Sequence, residues 1–357
     1  MSFENKVGQQ GGPPKKRRGS GRATIHDVAR LAGVGSITVS RYLKKNGYVS
    51  DELGAKIAAA VAELRYVPNL AAGGLSSAHN KVVGMVVPNI SGPIFASTIQ
   101  SFNDTLNRHG YQVLLASSYF SDEQEENAVR AFLGWSPAAL AVVGRFHTRG
   151  TEALLAAAGI PVVETWDYAP RRTPIQVGYS NREVGAQSAR HLLAKGYRRI
   201  AFVQNGVPGD LSALDRRDGY AAVLEEHGLE PWTYAPTEAA PFEAGRQALE
   251  ALTRGRRGER KAADAIIFAN DNLAAGALLA SQREGLQVPQ RCALMGFGDY
   301  AFSPLLLPSL TTIRPPGREI GEIAAQRILQ ALGELPAESK PARLNLLDCE
   351  LIEREST

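Results

Sequence analysis

Apolar positions recur in two registers along most of the chain. From Lys81 onward, short aliphatic or β-branched runs alternate with stretches whose apolar residues fall three or four apart. The runs are Val82–Val87, Gln112–Ala116, Leu140–Val143, Pro161–Thr165 and, after Tyr179, Ile200–Val203, Ala265–Ala269 and Ala293–Gly296. Each predicts a strand. Helices are predicted over Phe95–His109, Asp122–Leu133, Arg182–Lys195, Asp215–His227, Ala244–Leu252 and Leu273–Arg283. Strands that alternate with helices imply parallel α/β sheets. The cycle restarts after Tyr179, so two lobes are expected. Parallel sheets hold ligands outside the carboxyl ends of their strands, and two lobes with facing strand ends make a cleft.

The segment before Lys81 has a different pattern. Thr24-Ile25-His26-Asp27 reads as a helix cap followed by an acid, with Val28, Leu31 and Ala32 on one face. Gly33-Val34 breaks that helix. A second runs from Ser36 to Leu43, burying Val39 and Tyr42 or Leu43. A third starts at Ser50-Asp51-Glu52, with Ile57, Val61 and Leu64 at helical spacing. Helix, tight glycine turn, short helix and supporting helix form the helix-turn-helix arrangement; a generic three-helix bundle is the alternative. Pro68 then disfavours helix at Val67, and Asn69 can cap a short helix over Leu70–Ser76. Gly73-Gly74 weakens that helix by ~2 kcal/mol relative to two alanines, so a plain linker also fits.

Charge sharpens the division. Residues 1–76 hold 12 Lys/Arg against 5 Asp/Glu, a net +7, leaving 28 against 31, or −3, for the remainder of a chain whose total is +4. A small basic head on a mildly acidic body suits a polyanionic partner; a basic solvated tail is the other reading. Residues 1–22 lack hydrophobic patterning and end in Pro13-Pro14-Lys15-Lys16-Arg17-Arg18-Gly19. They read as a disordered basic tail, either a phosphate-binding arm or a solubilising leader.

The 357 residues allow two or three domains, and 44% apolar with 21% charged residues is ordinary for a globular protein. No apolar run reaches the ~18 residues of a membrane span. The first residues lack the apolar stretch of a secretory signal. Cys292 and Cys349 alone cannot make a disulfide framework. A cytoplasmic location without membrane partners is expected. Six histidines (26, 79, 109, 147, 191 and 227) show no metal-ligand spacing. Gly178-Tyr179-Ser180-Asn181-Arg182 starts like a nucleophile elbow without its second glycine, and Gly296-Phe297-Gly298 lacks the third glycine of a dinucleotide fingerprint. No cofactor and no enzymatic activity are expected.

The motifs carry a specific resemblance. Ala23-Thr24-Ile25-His26-Asp27-Val28-Ala29, Ala32-Gly33-Val34, Thr38-Val39-Ser40-Arg41 and Leu64-Arg65-Tyr66-Val67-Pro68-Asn69 resemble the head of the lactose-repressor (LacI/GalR) family of bacterial regulators. Arg198-Arg199-Ile200-Ala201, Phe268-Ala269-Asn270-Asp271, Gly276-Ala277, Gly296-Phe297 and Leu310-Thr311-Thr312-Ile313 extend it through the body. Asn69 to Leu75, Val162 to Asp167 and Val177 to Asn181 look like the gluconate-repressor subgroup. The resemblance implies a helix-turn-helix head (23–68), a hinge helix and linker (69–80) and a two-lobed periplasmic-binding-protein-like body (81–350). Lobe 1 would take about 81–180 and 314–335, lobe 2 about 181–310 and 340–352, with 353–357 as a tail. It implies a homodimer or tetramer on double-stranded, palindromic operator DNA, controlled by a small effector. A solute-binding protein without a transcriptional role is the alternative from another class.

The family's base-reading positions fall on Ser36, Ile37 and Arg41; its phosphate-contacting positions fall on Thr24, Thr38, Ser40 and Tyr48. Asn69 opens the hinge, and Leu75 matches the minor-groove wedge. The usual serine cap of the reading helix is Gly35 here. In the cleft, Arg216 and Asn270 match effector-binding positions, though Arg216 could instead pair with Asp215 or Asp218. The family's carboxylate after Gly-Phe is replaced by Gly298, with Asp299 one step on. Arg145 ends a strand and adds a cation, while His147 reads as a loop residue. Trp166 and Asp167 end another strand; Trp166 suits stacking on a sugar or a place in the core, and Phe95 either lines the site or packs. Two arginines and a missing acid point to a small anionic polyol: gluconate, a close relative or a phosphorylated form.

The hinge glycines generate a prediction. A Gly73→Ala/Gly74→Ala protein should bind operator more tightly and release it less readily with effector, because each glycine costs a helix ~1 kcal/mol. Fluorescence anisotropy on labelled operator measures both. Equal or weaker binding means that helix propensity does not limit the hinge.

Overall fold

The computed structural model describes residues 22–44, 47–68, 80–169, 175–207, 209–238, 240–254, 262–336 and 345–357. The chain divides into two compact units, Met1–Ala78 and His79–Thr357.

The first unit holds α1 (Ile25–Ala32), α2 (Ser36–Lys44) and α3 (Asp51–Glu63). Thr24 and Asp27 cap α1 reciprocally: the Thr24 hydroxyl accepts from the Asp27 amide at 3.4 Å, and the Asp27 carboxylate accepts from the Thr24 amide at 2.9 Å. Gly33, with φ of 68°, ends the helix in the left-handed conformation. Ser50 occupies the N-cap of α3, but its hydroxyl makes no capping bond; the first-turn acids Asp51 and Glu52 favour that terminus instead. Val28, Ala29, Ala32, Val39, Ile57 and Ala60 form the core.

The second unit contains two sheets. The first comprises β1 (Val82–Val87), β2 (Gln112–Ser117), β3 (Ala139–Val143), β4 (Val162–Asp167) and β5 (Gln176–Tyr179) in the order β2-β1-β3-β4-β5, every pair parallel. Its helices are α4 (Pro93–Arg108), α5 (Asp122–Gly134) and α6 (Arg149–Ala157). The second comprises β6 (Ile200–Val203), β7 (Trp232–Tyr234), β8 (Ala265–Phe268), β9 (Ala293–Phe297), β10 (Thr311–Arg314) and β11 (Glu350–Ile352), in the order β11-β10-β9-β8-β6-β7. Only the β10–β11 pair is antiparallel. Here α7 (Asn181–Ala194), α8 (Leu211–Glu226), α9 (Pro241–Thr253) and α10 (Asp271–Glu284) flank the strands. The inner strands are buried on both faces, which is why they read as unbroken apolar runs. No described helix is long and apolar enough to cross a membrane.

The chain crosses between the sheets after β5, after β10 and before β11. After β10 it forms α11 (Gly317–Ala331), which packs on α4 of the first lobe. Thr98 donates to the Gly317 carbonyl at 2.6 Å and Ser101 to the Arg318 carbonyl at 2.9 Å. Two expected boundaries need correction. Residues 345–347 do not sit with the second lobe: Leu346 bridges Gly178 of β5, and the Leu347 amide donates to the Gly178 carbonyl at 2.8 Å. Residues 353–357 are not a tail. Ser356 is fully buried; its hydroxyl donates to the Leu294 carbonyl at 2.6 Å and accepts from the Thr311 amide at 2.9 Å. Ladder hydrogen bonds across the end of a sheet carry no periodicity of their own, so the sequence pattern missed them.

Asp271, at the start of α10, ties β10 and the loop before it to that helix. It is fully buried and accepts from the Tyr300 amide at 3.0 Å and the Ser303 and Thr312 hydroxyls at 2.7 Å each. Burial raises its pKa, against the pull of those three donors. Asp271→Ala strands all three and should cost about 3 kcal/mol or more. Asp271→Asn should cost much less, since its oxygen can serve two donors and its amide can donate to a rotated Thr312 hydroxyl. Thermal unfolding of the two variants decides. Equal losses would show that the second carboxylate oxygen, which asparagine lacks, is what the three donors require.

Candidate functional site

On the head, α2 buries Val39 and packs Tyr42 and Leu43 against the core. The opposite side presents Ile37, 69% exposed, and an exposed Arg41 one turn later. An apolar side chain left in water beside an arginine is what a short reading helix offers a base edge. Ser36, Thr38 and Ser40 are half-buried on the same helix, and Tyr48 is 94% exposed beyond it. Gly35 provides the carbonyl that accepts from the Thr38 and Val39 amides, so α2 starts regularly without a serine cap. The Thr24 hydroxyl is engaged with Asp27 at 2.7 Å. Asn69, the hinge glycines and Leu75 lie outside the described residues.

In the body, a cavity opens where strand ends of both sheets meet, lined among others by Phe95, Trp166, Tyr179, Arg216, Asn270 and Phe297. Arg216 is placed by close packing of α7 on α8. A Cβ on Gly185 would fall 1.7 Å from the Arg216 carbonyl, and one on Gly219 would fall 1.8 Å from the Arg182 carbonyl. That approach sets Asn181, first residue of α7, beside the guanidinium. Arg216 Nη1 donates to Asn181 Oδ1 at 2.6 Å, Nη2 donates to the Ala269 carbonyl at 3.3 Å, and the guanidinium lies 4.2 Å from the Phe297 ring centre. Its Nε is buried with no partner. It pairs with neither Asp215 nor Asp218: Asp215 is taken by Arg145 and Asp218 by Arg217.

Trp166 answers to both of its readings. It is 5% exposed, packed edge-on between Phe95 at 4.8 Å and Tyr179 at 6.0 Å, and it also lines the cavity. Its φ of 73° is rare for a bulky residue, and its Nε1 is buried without a partner. Phe95 likewise both packs and lines. Asn270 caps α10, accepting from the Leu273 amide at 3.1 Å.

Three residues expected at the ligand fall outside the lining of the cavity. Arg145 does not line the cavity; it donates to Asp167 at 2.9 Å, pairs with Asp215 across the lobes and stacks 4.1 Å over Phe146. Asp167 is its partner, buried, with its pKa raised by that burial against Arg145's attraction. Asp299, at φ 48°, is held by Arg314 at 2.7 Å and Arg354 at 2.6 Å. Gly298 has its own reason: a Cβ there would meet the Tyr300 ring at 2.5 Å, so an aromatic fills the place of the expected acid. His147 lies in a loop but is buried, its Nδ1 2.7 Å from Glu125.

The sequence reading missed Asn181, Asp122, Glu125 and Asp210, which also line the cavity. All sit at helix starts just after strands, where parallel sheets gather ligands; that placement was the available signal.

Comparison with known proteins fits this geometry. Residues 24–69 match the model of bacterial regulatory proteins of the lacI family, and residues 189–357 match a periplasmic binding protein-like domain. The chain is 35% identical to the HTH-type transcriptional regulator GntR of Pseudomonas aeruginosa, over 96% of this chain and 98% of that protein. It is 33% identical to the regulator GntR of Escherichia coli K12, over 86% and 91%. The structure of a LacI-family regulator from Silicibacter pomeroyi superposes with a TM-score of 0.85 at 31% identity, covering 94% of this chain and 99% of that one. This chain is therefore a transcriptional regulator of the LacI family.

Proposed function

We propose that the chain is a ligand-controlled repressor that binds a palindromic operator as a homodimer and is released by a small sugar acid such as gluconate. The observation that carries the DNA half is the exposed Ile37–Arg41 face on a helix whose other side is buried. Arg41 suits a guanine, Ile37 a thymine methyl and Ser36 either base edge. Thr24, Thr38, Ser40 and Tyr48 serve the phosphates that set register. Asn69 and Leu75 belong to the hinge, with Leu75 as the wedge at the central step. Two bound heads match the operator's symmetry. The effector half rests on Arg216, a buried guanidinium without a carboxylate partner among the described residues, and on the subgroup resemblance of the sequence. No catalysis and no cofactor enter this reading, and such a regulator works in the cytoplasm. A solute-binding protein would have no use for a head with a reading face.

Arg41→Ala should abolish specific operator binding and spare effector binding. A lost bidentate contact costs ~1–3 kcal/mol per site, twice in a symmetric dimer. Anisotropy measures the first and calorimetry the second; undiminished operator affinity removes α2 from base reading.

Gluconate and 2-ketogluconate should bind the full-length protein, whereas glucose and ribose should not. Arg216→Ala should abolish acid binding at unchanged operator affinity, because a planar donor fork suits a carboxylate. Tight binding of a neutral sugar with no response to either acid refutes the effector assignment and leaves the DNA assignment standing.

A further inference from the structure

The charges around the cavity narrow the effector class further, an inference that rests on the sugar-acid reading above. One cation lines the cavity among the described residues, Arg216, and three carboxylates line it with it: Asp122, Glu125 and Asp210. The cavity is bordered by helix N-termini, each of which offers unpaired amides and a positive dipole end to an anion. At the starts of α5, α8 and α10 those offers are already met; the start of α4, with Gly92 as its cap and no acid in its first turn, lines the cavity without one. Asp122 and Glu125 occupy the first turn of α5, behind the Ser121 cap. Asp210 caps α8, accepting from the Ala213 amide at 3.0 Å and from Asn205. Asn270 caps α10. Three of the ends that could seat a phosphate therefore carry acids or a neutral amide.

Glu125 is fixed in its place. His147 holds it at 2.7 Å, and the other ring nitrogen of His147 stands 3.9 Å from Glu164, itself bound to Gln176 at 2.7 Å. Of these, Glu125 alone lines the cavity, with His147 and Glu164 behind it, so that wall presents a carboxylate. Arg216 and Trp166 also line the cavity, and each holds a buried donor without a hydrogen-bond partner, Arg216 Nε and Trp166 Nε1. One comes from each lobe.

We infer that the cleft selects a hydroxyl-rich monoanion and excludes its phosphorylated counterpart, with Asp122, Glu125 and Asp210 as the specificity-determining residues. The ligand's one carboxylate meets Arg216. The ligand's hydroxyls donate to the three carboxylates, which are acceptors only. A phosphate group has no hydroxyl hydrogens to offer at neutral pH beyond a fractional one. It would set two further negative charges against fixed acids, and specificity of this kind comes from the repulsive element.

Calorimetric titration of the full-length protein with gluconate and with 6-phosphogluconate tests this. Wild-type protein should bind gluconate at least ~100-fold more tightly than 6-phosphogluconate, the scale of like-charge exclusion. Asp122→Asn, Asp210→Asn and Glu125→Gln should each narrow that ratio by about 10-fold, since each removes one repulsive charge. Asp122 is exposed, and asparagine caps a helix as well as aspartate, so the first two variants keep the fold if Glu125→Gln does not. Comparable affinities for the two acids in wild-type protein, or a ratio that none of the variants moves, overturns the inference and leaves the sugar-acid reading intact. Binding of neither acid removes both.

Discussion

A buried guanidinium that no carboxylate among the described residues neutralises is the constraint around which the body is organised. Taking an unpaired charge out of water is costly unless other dipoles surround it. Arg216 is surrounded by an amide oxygen from the start of α7, a carbonyl from the end of β8 and the face of a ring from the end of β9. Those groups arrive together only because α7 and α8 touch backbone to backbone through Gly185 and Gly219. A Cβ at either position would lift Arg216 away from Asn181. The arginine is thus held in place by the second lobe through two of its five N–H groups.

The two lobes share more than the cleft. The chain passes between the sheets three times, and α11, which follows a strand of the second sheet, packs on α4 in the first lobe. Arg145 adds an ion pair from the first lobe to Asp215 on α8 of the second. Multiple crossings leave the lobes free to tilt about short connectors but not to separate.

Much of this was legible in the sequence, and the misreadings share one cause. Buried parallel strands and amphipathic helices announce themselves through local periodicity, and the head's capping box and left-handed Gly33 through local chemistry. Side chains at strand ends do not, because their partners lie far along the chain. Arg145 looked like a free cation at the cleft mouth, but Asp215 stands 70 residues on. Asp299 looked like a displaced ligand-binding acid, but Arg354 claims it from 55 residues away. Gly298 read as a missing acid; only the fold reveals the Tyr300 ring in its place. The short edge strands β7 and β11 and the C-terminal residues were silent for the same reason, since pairing alone defines them.

A ligand shifts a conformational equilibrium only through contacts that differ between the two states. The Arg145–Asp215 pair is made without ligand, so it sets the starting balance of the lobes and cannot itself report occupancy. Trp166 Nε1 and Arg216 Nε are different. They belong to opposite lobes, both are buried, and both lack an acceptor. Two desolvated donors remain without an acceptor in that arrangement, and an opened cleft would return them to water.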